Sequence, residues 1–293
     1  MRTKCILVGV LIGIMIVALT GCLESSGTTS NSAESTAPSV YARVIESGKI
    51  RAAYITYPPA VIKDTITGDL TGTFVEVLEQ VAKNLDLELE WTEEVGWGAQ
   101  IEGLQADRYD IVGSPVWANP TRGKLTTMSI PVYFSGIGVY VRDGDNRFSE
   151  DGGWKSINNG NTRIVTIDGE TGDLIARTDF PNAQRVSLTQ LSDISEMFLN
   201  VKSNKADVLF AEPFYGYEFL KNNPGSVKNI GSANPIRTLG NCYMFKSGEF
   251  QFKHMIDVAV NDLLNSGFVD KVIDRYEPYP GTFYRVARPY RAD

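Results

Sequence analysis

Twice along the chain, short apolar strand patterns alternate with amphipathic helix patterns, and this repetition narrows the fold to layered α/β architectures. In the first unit, residues 50–55 read as a strand after the turn at Gly48, and Gly68-Asp69-Leu70-Thr71-Gly72 is a turn cluster. Phe74, Val77, Leu78, Val81 and Leu85 then recur at helical spacing. Leu87, Leu89 and Trp91 alternate with acids as a strand, Ile101, Leu104 and Ala106 mark a second helix, and residues 109–113 form a buried strand ending near Ser114. The second unit repeats this logic. Residues 163–167 are a strand, 169–173 a turn into a helix beginning near Leu174, Asp193 to Ser203 a helix, and 206–211 a strand running into Glu212. The tail from Phe252 to Tyr276 reads as helix, with Met255, Ile256, Ala259, Leu263, Phe268 and Val272 on its apolar face. Alternation of this kind predicts largely parallel sheets covered by helices. Its repetition predicts two lobes, with a ligand cleft facing the carboxyl ends of the strands.

The amino terminus carries a different signal. Arg2 and Lys4 precede an apolar run from Ile6 to Leu19, which closes in Leu19-Thr20-Gly21-Cys22. A positive start, an apolar segment and small residues at a cut site make a secretory leader. The run is short of the ~20 residues a membrane span needs. With a cysteine directly after the small residues, the pattern resembles a lipobox. The resemblance implies a leader over residues 1–21, cleavage before Cys22, and a lipid anchor on its thiol. The rest of the chain then works outside the cytoplasmic membrane, in a periplasm or at a cell surface. The residues from 22 to 40 are rich in serine and threonine and cannot bury a core, so they read as a flexible tether.

Loss of Arg2 and Lys4 with the leader moves the net charge from −7 to −9. Such an acidic domain is a poor partner for nucleic acid, which needs a basic surface. Of three cysteines, Cys5 leaves with the leader and Cys22 is the anchor, so Cys242 stands alone and no intrachain disulfide is expected. The single histidine, His254, makes no ligand spacing with Cys242, and no metal or other cofactor is expected.

Three ordered blocks resemble the type II periplasmic solute-binding proteins of family 3, the polar amino-acid group. The first runs from Gly48-Lys49-Ile50-Arg51 through Tyr57-Pro58-Pro59 to the Gly68–Phe74 stretch. The second runs from Trp97 through Asp110-Ile111-Val112 and Arg122 to Ser129-Ile130-Pro131-Val132-Tyr133. The third holds Gly169-Glu170-Thr171-Gly172, Lys205-Ala206-Asp207-Val208 and Glu212. The resemblance implies two α/β lobes joined by two hinge strands, the first lobe discontinuous. It puts lobe one at 45–140 plus 236–293 and lobe two at 143–232. It further implies a monomeric, non-enzymatic receptor that delivers a small polar solute to the permease of an ABC importer.

The same resemblance assigns site residues. Arg122, in the Pro120-Thr121-Arg122 turn, falls where the family grips a ligand carboxylate, a task suited to a planar guanidinium. Ser114 lies at the end of the preceding strand, where small hydroxyls assist. Thr171 stands at a helix start, where free N–H groups favour an anion; the same residue reads equally as a simple N-cap. Glu212 falls where an acid receives the ligand ammonium, opposite Arg122. Tyr57 and Trp97 take the positions that flank the ligand side chain, with Tyr54, Trp117, Tyr133, Phe214 and Tyr215 as neighbouring candidates. Pro115 and Trp117 depart from the family pattern, since proline removes an N–H and tryptophan replaces a hydroxyl. That large face suits an organic cation through cation–π contact. Two rival functions remain open: a dehydratase-like exported enzyme with Glu212 as general acid, and a sensory module that presents ligand to a signalling partner.

Overall fold

The structure is a computed structural model and describes residues 38–149 and 154–286. The leader, Cys22 and the tether up to residue 37 lie outside the described residues. The described chain begins with a helix, Val40–Ser47, capped by the Ser39 hydroxyl.

The predicted alternation is present. In the first lobe the strand Lys49–Tyr54 lies between two parallel neighbours, Glu88–Glu94 and Ile111–Trp117. The helix Thr73–Asn84 buries Phe74, Val77, Leu78 and Val81, a face its sequence spacing predicts. That face packs with Phe252, Ile256, Val260 and Val272 from the last two helices, so the carboxyl-terminal segment returns to the first lobe. Each such side chain contributes on the order of 1.5–3 kcal/mol by leaving water.

In the second lobe Arg163–Ile167 is central, between the parallel strands Gln184–Leu188 and Val208–Ala211. Helices Thr171–Asp179, Ile194–Lys202 and Pro213–Asn222 cover it. Two long antiparallel strands join the lobes. Tyr133–Arg142 pairs through its first half with Arg237–Lys246 and through its second half with Val208–Ala211. The molecule is therefore a two-lobed α/β fold with a discontinuous first lobe and two hinge strands.

Four details differ from the sequence reading. The strand expected to end near Ser114 runs on to Trp117, through Pro115. It tolerates the proline because the register with the neighbouring strand shifts between Cys242 and Met244, where an N–H is not required. The second-lobe helix begins at Thr171, not near Leu174. The tail is two helices, Phe250–Asn265 and Phe268–Tyr276, because Gly267 takes a left-handed φ of 73° that ends the first. The helix Pro213–Asn222 was not foreseen, although a proline directly after Glu212 is a helix-start signal. Among the described residues, no helix is long and apolar enough to cross a membrane.

Candidate functional site

Arg122 reaches the cleft from a one-turn helix, Pro120–Gly123, rather than a plain turn. Asn119 caps this turn by accepting the Arg122 N–H at 3.0 Å, and Thr126 donates its hydroxyl to the Arg122 carbonyl at 2.8 Å. With its backbone fixed at both ends, the side chain enters the protein and is only 8% exposed. Its Nη1 donates to the Trp117 carbonyl at 3.0 Å and to Thr171 Oγ1, across the cleft, at 3.5 Å. Among the described residues Arg122 forms no ion pair, whereas Arg142, Arg147 and Arg163 all do. Burial pushes its guanidinium down from the ordinary arginine value, and the charge of Glu170 opposes that. A guanidinium in this state is ready for a carboxylate that arrives from outside.

Tyr57, Trp97, Pro115, Trp117, Arg122, Glu170 and Thr171 enclose a cavity of about 10 Å³. That is space for about one water. Trp97, Arg122, Glu170 and Thr171 also border an open groove of about 260 Å³ that continues outward between the lobes. Tyr57 meets Trp97 edge to face at 5.4 Å and Tyr215 at 5.1 Å. Trp117 is buried, and its indole N–H donates to Ser135 Oγ at 3.3 Å.

Glu212 is set back behind the cavity wall. It is 4% exposed and does not border the cavity. Tyr57 stands between, donating its hydroxyl to Glu212 Oε2 at 2.5 Å. Glu212 Oε1 is buried and finds no hydrogen-bond partner among the described residues. Burial raises the carboxyl above the ordinary range; the Ser135 and Tyr57 hydroxyls oppose this. The acid on the cavity wall is Glu170, which the sequence reading missed. It caps the helix Thr171–Asp179 by accepting the Gly172 N–H at 3.0 Å. Thr171 is thus not the cap, and its hydroxyl is turned toward Arg122. Burial pushes the Glu170 carboxyl up to about 7; the Gly172 N–H and Arg122 oppose this, while Glu212 and Asp173 add to it. An acid just before a predicted helix start was the available signal.

Ser114 is also placed differently. Its hydroxyl accepts from the Ile55 N–H at 2.7 Å and donates to the Ile55 carbonyl at 3.0 Å. It therefore stitches two strands and is fully buried behind the cavity. Tyr54 and Tyr133 belong to the first-lobe core, where they pack on Trp91 and on Phe74 and Phe283. Phe214 packs on Tyr215, whose hydroxyl donates to the Pro58 carbonyl at 3.0 Å across the lobes. A second bridge joins the Gly98 N–H to Gln190 Oε1 at 3.1 Å. Gly169 takes a left-handed φ of 83°, which suits the turn before Glu170 to glycine, while the Gly98 backbone beyond it leaves room for a methyl group. Among the described residues no three histidine, cysteine or acidic side chains gather as metal ligands.

Residues 50–278 match the model of the bacterial extracellular solute-binding proteins, family 3. A "Probable amino-acid ABC transporter-binding protein" from Haemophilus influenzae is 35% identical over 91 residues, 31% of this chain. The match spans only 35% of that relative's length. A "Probable histidine-binding protein" from Campylobacter jejuni is 24% identical over 71% of this chain and 77% of its own. Among solved structures, an ancestral amino acid-binding protein described as a precursor of cyclohexadienyl dehydratase superposes with a TM-score of 0.68 at 20% identity, covering 82% of this chain and 99% of that one. An amino acid ABC transporter substrate-binding protein from Streptococcus pneumoniae, bound to L-arginine, gives 0.66 at 19% identity over 80% of this chain and 97% of that one.

Proposed function

Because the chain belongs to the bacterial extracellular solute-binding proteins, family 3, we propose that it captures a free amino acid between its lobes and delivers it to an ABC importer. The observation that carries this reading is Arg122, a guanidinium buried at the lobe interface with no acidic partner among the described residues. A ligand carboxylate supplies that partner, assisted by the Thr171 hydroxyl and the start of the helix Thr171–Asp179. The ligand ammonium goes to Glu212, whose free Oε1 accepts it once the Tyr57 ring swings aside. Tyr57, Trp97 and Trp117 then flank the aliphatic part of the ligand. The relatives named for amino acids support the same ligand class.

The cavity holds about one water, so an amino acid enters only if the lobes part. Separation breaks the bridges from Gly98 to Gln190 and from Tyr215 to Pro58, and closure remakes them around the ligand. The protein acts as a monomer held outside the cytoplasmic membrane by lipid on Cys22. The leader pattern supports the anchor, and Cys22→Ser tests it: the variant is released from membranes or left unprocessed, and a mature variant still on the membrane rules the lipid out.

A thermal-shift screen of amino acids, amines and small carboxylates tests the main reading. A ligand at about a hundredfold over its dissociation constant adds ~2.7 kcal/mol of stability. The best ligand loses its effect when its carboxylate is esterified or its ammonium removed. A ligand indifferent to both changes overturns the reading. A second reading, an exported dehydratase-like enzyme, has one observation in its favour: two buried carboxyls with raised pKa stand at the cleft. Product formed from prephenate or arogenate would establish it.

A further inference from the structure

Counting charge in the closed cleft leaves one acid without a task. Arg122 takes a ligand carboxylate and Glu212 an ammonium, and Glu170 remains on the cavity wall. It is 8% exposed, and among the described residues the one hydrogen bond it makes is the capping bond from Gly172. No arginine or lysine among the described residues pairs with it, although Asp173, three positions on, is paired by both Arg177 and Arg185. A buried carboxylate that only caps a helix is an expensive choice, because serine, threonine or asparagine caps without a charge to desolvate.

We propose that Glu170 is a specificity residue that selects ligands carrying a second cationic group, so that the preferred solute has one carboxylate, two cations and a net charge of +1. The inference rests on the amino-acid reading above. With Arg122 positive and Glu170 and Glu212 negative, the cleft is one charge short of neutral when all three are ionised. A net-neutral amino acid closes the lobes over that surplus and forces Glu170 to hold a proton. A ligand of net +1 cancels it. The groups facing Glu170 are consistent with this. Arg122 and the phenol of Tyr57 face it from the first lobe, Glu212 from the adjoining strand end, and Asp173 and Arg177 from its own helix and the groove. Among the described residues Arg122 is the one cation lining the cavity itself, and a ligand carboxylate engages it. Glu170 also borders the outward groove of about 260 Å³, which gives a longer side chain room to bring its distal cation back to the carboxyl.

The test uses near-isosteric pairs that differ in the distal charge: L-arginine against L-citrulline, and L-ornithine against L-norleucine. Each is titrated by calorimetry into the wild type, Glu170→Gln and Arg122→Ala at pH 7.5. Glu170→Gln keeps a carbonyl to cap the helix, and its melting temperature is read alongside. The wild type is expected to favour the cationic member of a pair by about tenfold or more, and Glu170→Gln to bring that ratio to within about threefold of one. Binding of the cationic member at pH 6.5 also releases a proton from Glu170, seen as heat that depends on buffer ionisation, and Glu170→Gln abolishes that dependence. A wild-type ratio near one, or a ratio that survives in Glu170→Gln, overturns the inference. The amino-acid reading still stands in that case if Arg122→Ala abolishes binding. If none of the four compounds binds the wild type, the inference fails, and the amino-acid reading is decided separately by the thermal-shift screen.

Discussion

The strand Val208–Ala211 has an acid at each end, and the two live under opposite rules. Asp207, at its amino end, is buried and accepts from Arg142 at 3.1 Å, Arg147 at 2.7 Å and Arg163 at 3.0 Å, and from the Arg163 N–H at 2.9 Å. Burial alone would raise this carboxyl, but the hydrogen bonds from Arg163, Arg147 and Arg142 outweigh it and hold the group well below the usual range. Glu212, at the carboxyl end, is as deeply buried, meets no cation among the described residues, and is raised. The first lobe repeats the first device. Asp110 accepts the Arg51 N–H at 2.9 Å and pairs with the Arg51 and Arg43 guanidiniums. In both lobes the amino end of a central strand is thus fixed by satisfied charge. The carboxyl ends lead to Arg122 and Glu212, whose charges are left open. The contrast separates acids that hold the fold from groups that, on the reading proposed above, meet a ligand, as expected for α/β sheets that bind at their carboxyl ends.

The largest effect that could break this comparison is on stability. Asp207→Asn leaves three guanidiniums around an uncharged side chain and should cost about 2–4 kcal/mol in denaturant unfolding, discounted for their partial exposure. Glu212→Gln, which removes a buried unpaired charge, should cost less than about 1 kcal/mol or stabilise the protein. Equal costs for the two would remove the distinction.

The next effect is in pH dependence. Glu170 has a folded pKa of about 7 against an ordinary 4.5, burial being the main cause. A raised carboxyl contributes stability that is complete below the unfolded pKa and is lost as pH rises through the folded one. The loss amounts to about 3 kcal/mol by pH 8. Glu170→Gln should therefore gain on the wild type between pH 4.5 and 8. Asp207 has the opposite sign: its contribution is present above pH 4 and is lost as pH falls through its depressed folded pKa. Parallel pH–stability curves for wild type and Glu170→Gln would contradict the burial of Glu170.

The smallest effect concerns closure. Gln190→Ala removes one exposed bond between the lobes, the one to the Gly98 N–H. About 1 kcal/mol or less of closure energy is at stake, which should appear as up to about a fivefold rise in ligand dissociation rate. A ligand-bound radius of gyration equal to the ligand-free one would count against lobe closure altogether.

Most of this fold is legible because periodicity reports on which side of an element is dry. Phe74, Val77, Leu78 and Val81 announce their helix without help. Arg122 is legible as a candidate because a guanidinium after a buried strand invites the question of its partner. Glu170 escaped because Thr171 beside it is the more familiar cap, and only three-dimensional packing reveals that Glu170 caps the helix while both residues line the cleft. The direction of Ser114 is not legible, because sequence gives proximity to the site but not side-chain direction; its hydroxyl faces Ile55. The break at Gly267 and the strand through Pro115 depend on neighbours remote in sequence, which single-segment patterns do not carry.

Calorimetric titration of Arg122→Ala with the best amino-acid ligand is the most direct test of the claim that open charges at the strand ends bind solute. The account predicts a loss on the order of 2–5 kcal/mol in binding free energy, because the ligand carboxylate is left buried and unpaired, while Asp207→Asn, once folded, keeps wild-type affinity. Unchanged affinity in Arg122→Ala would contradict it.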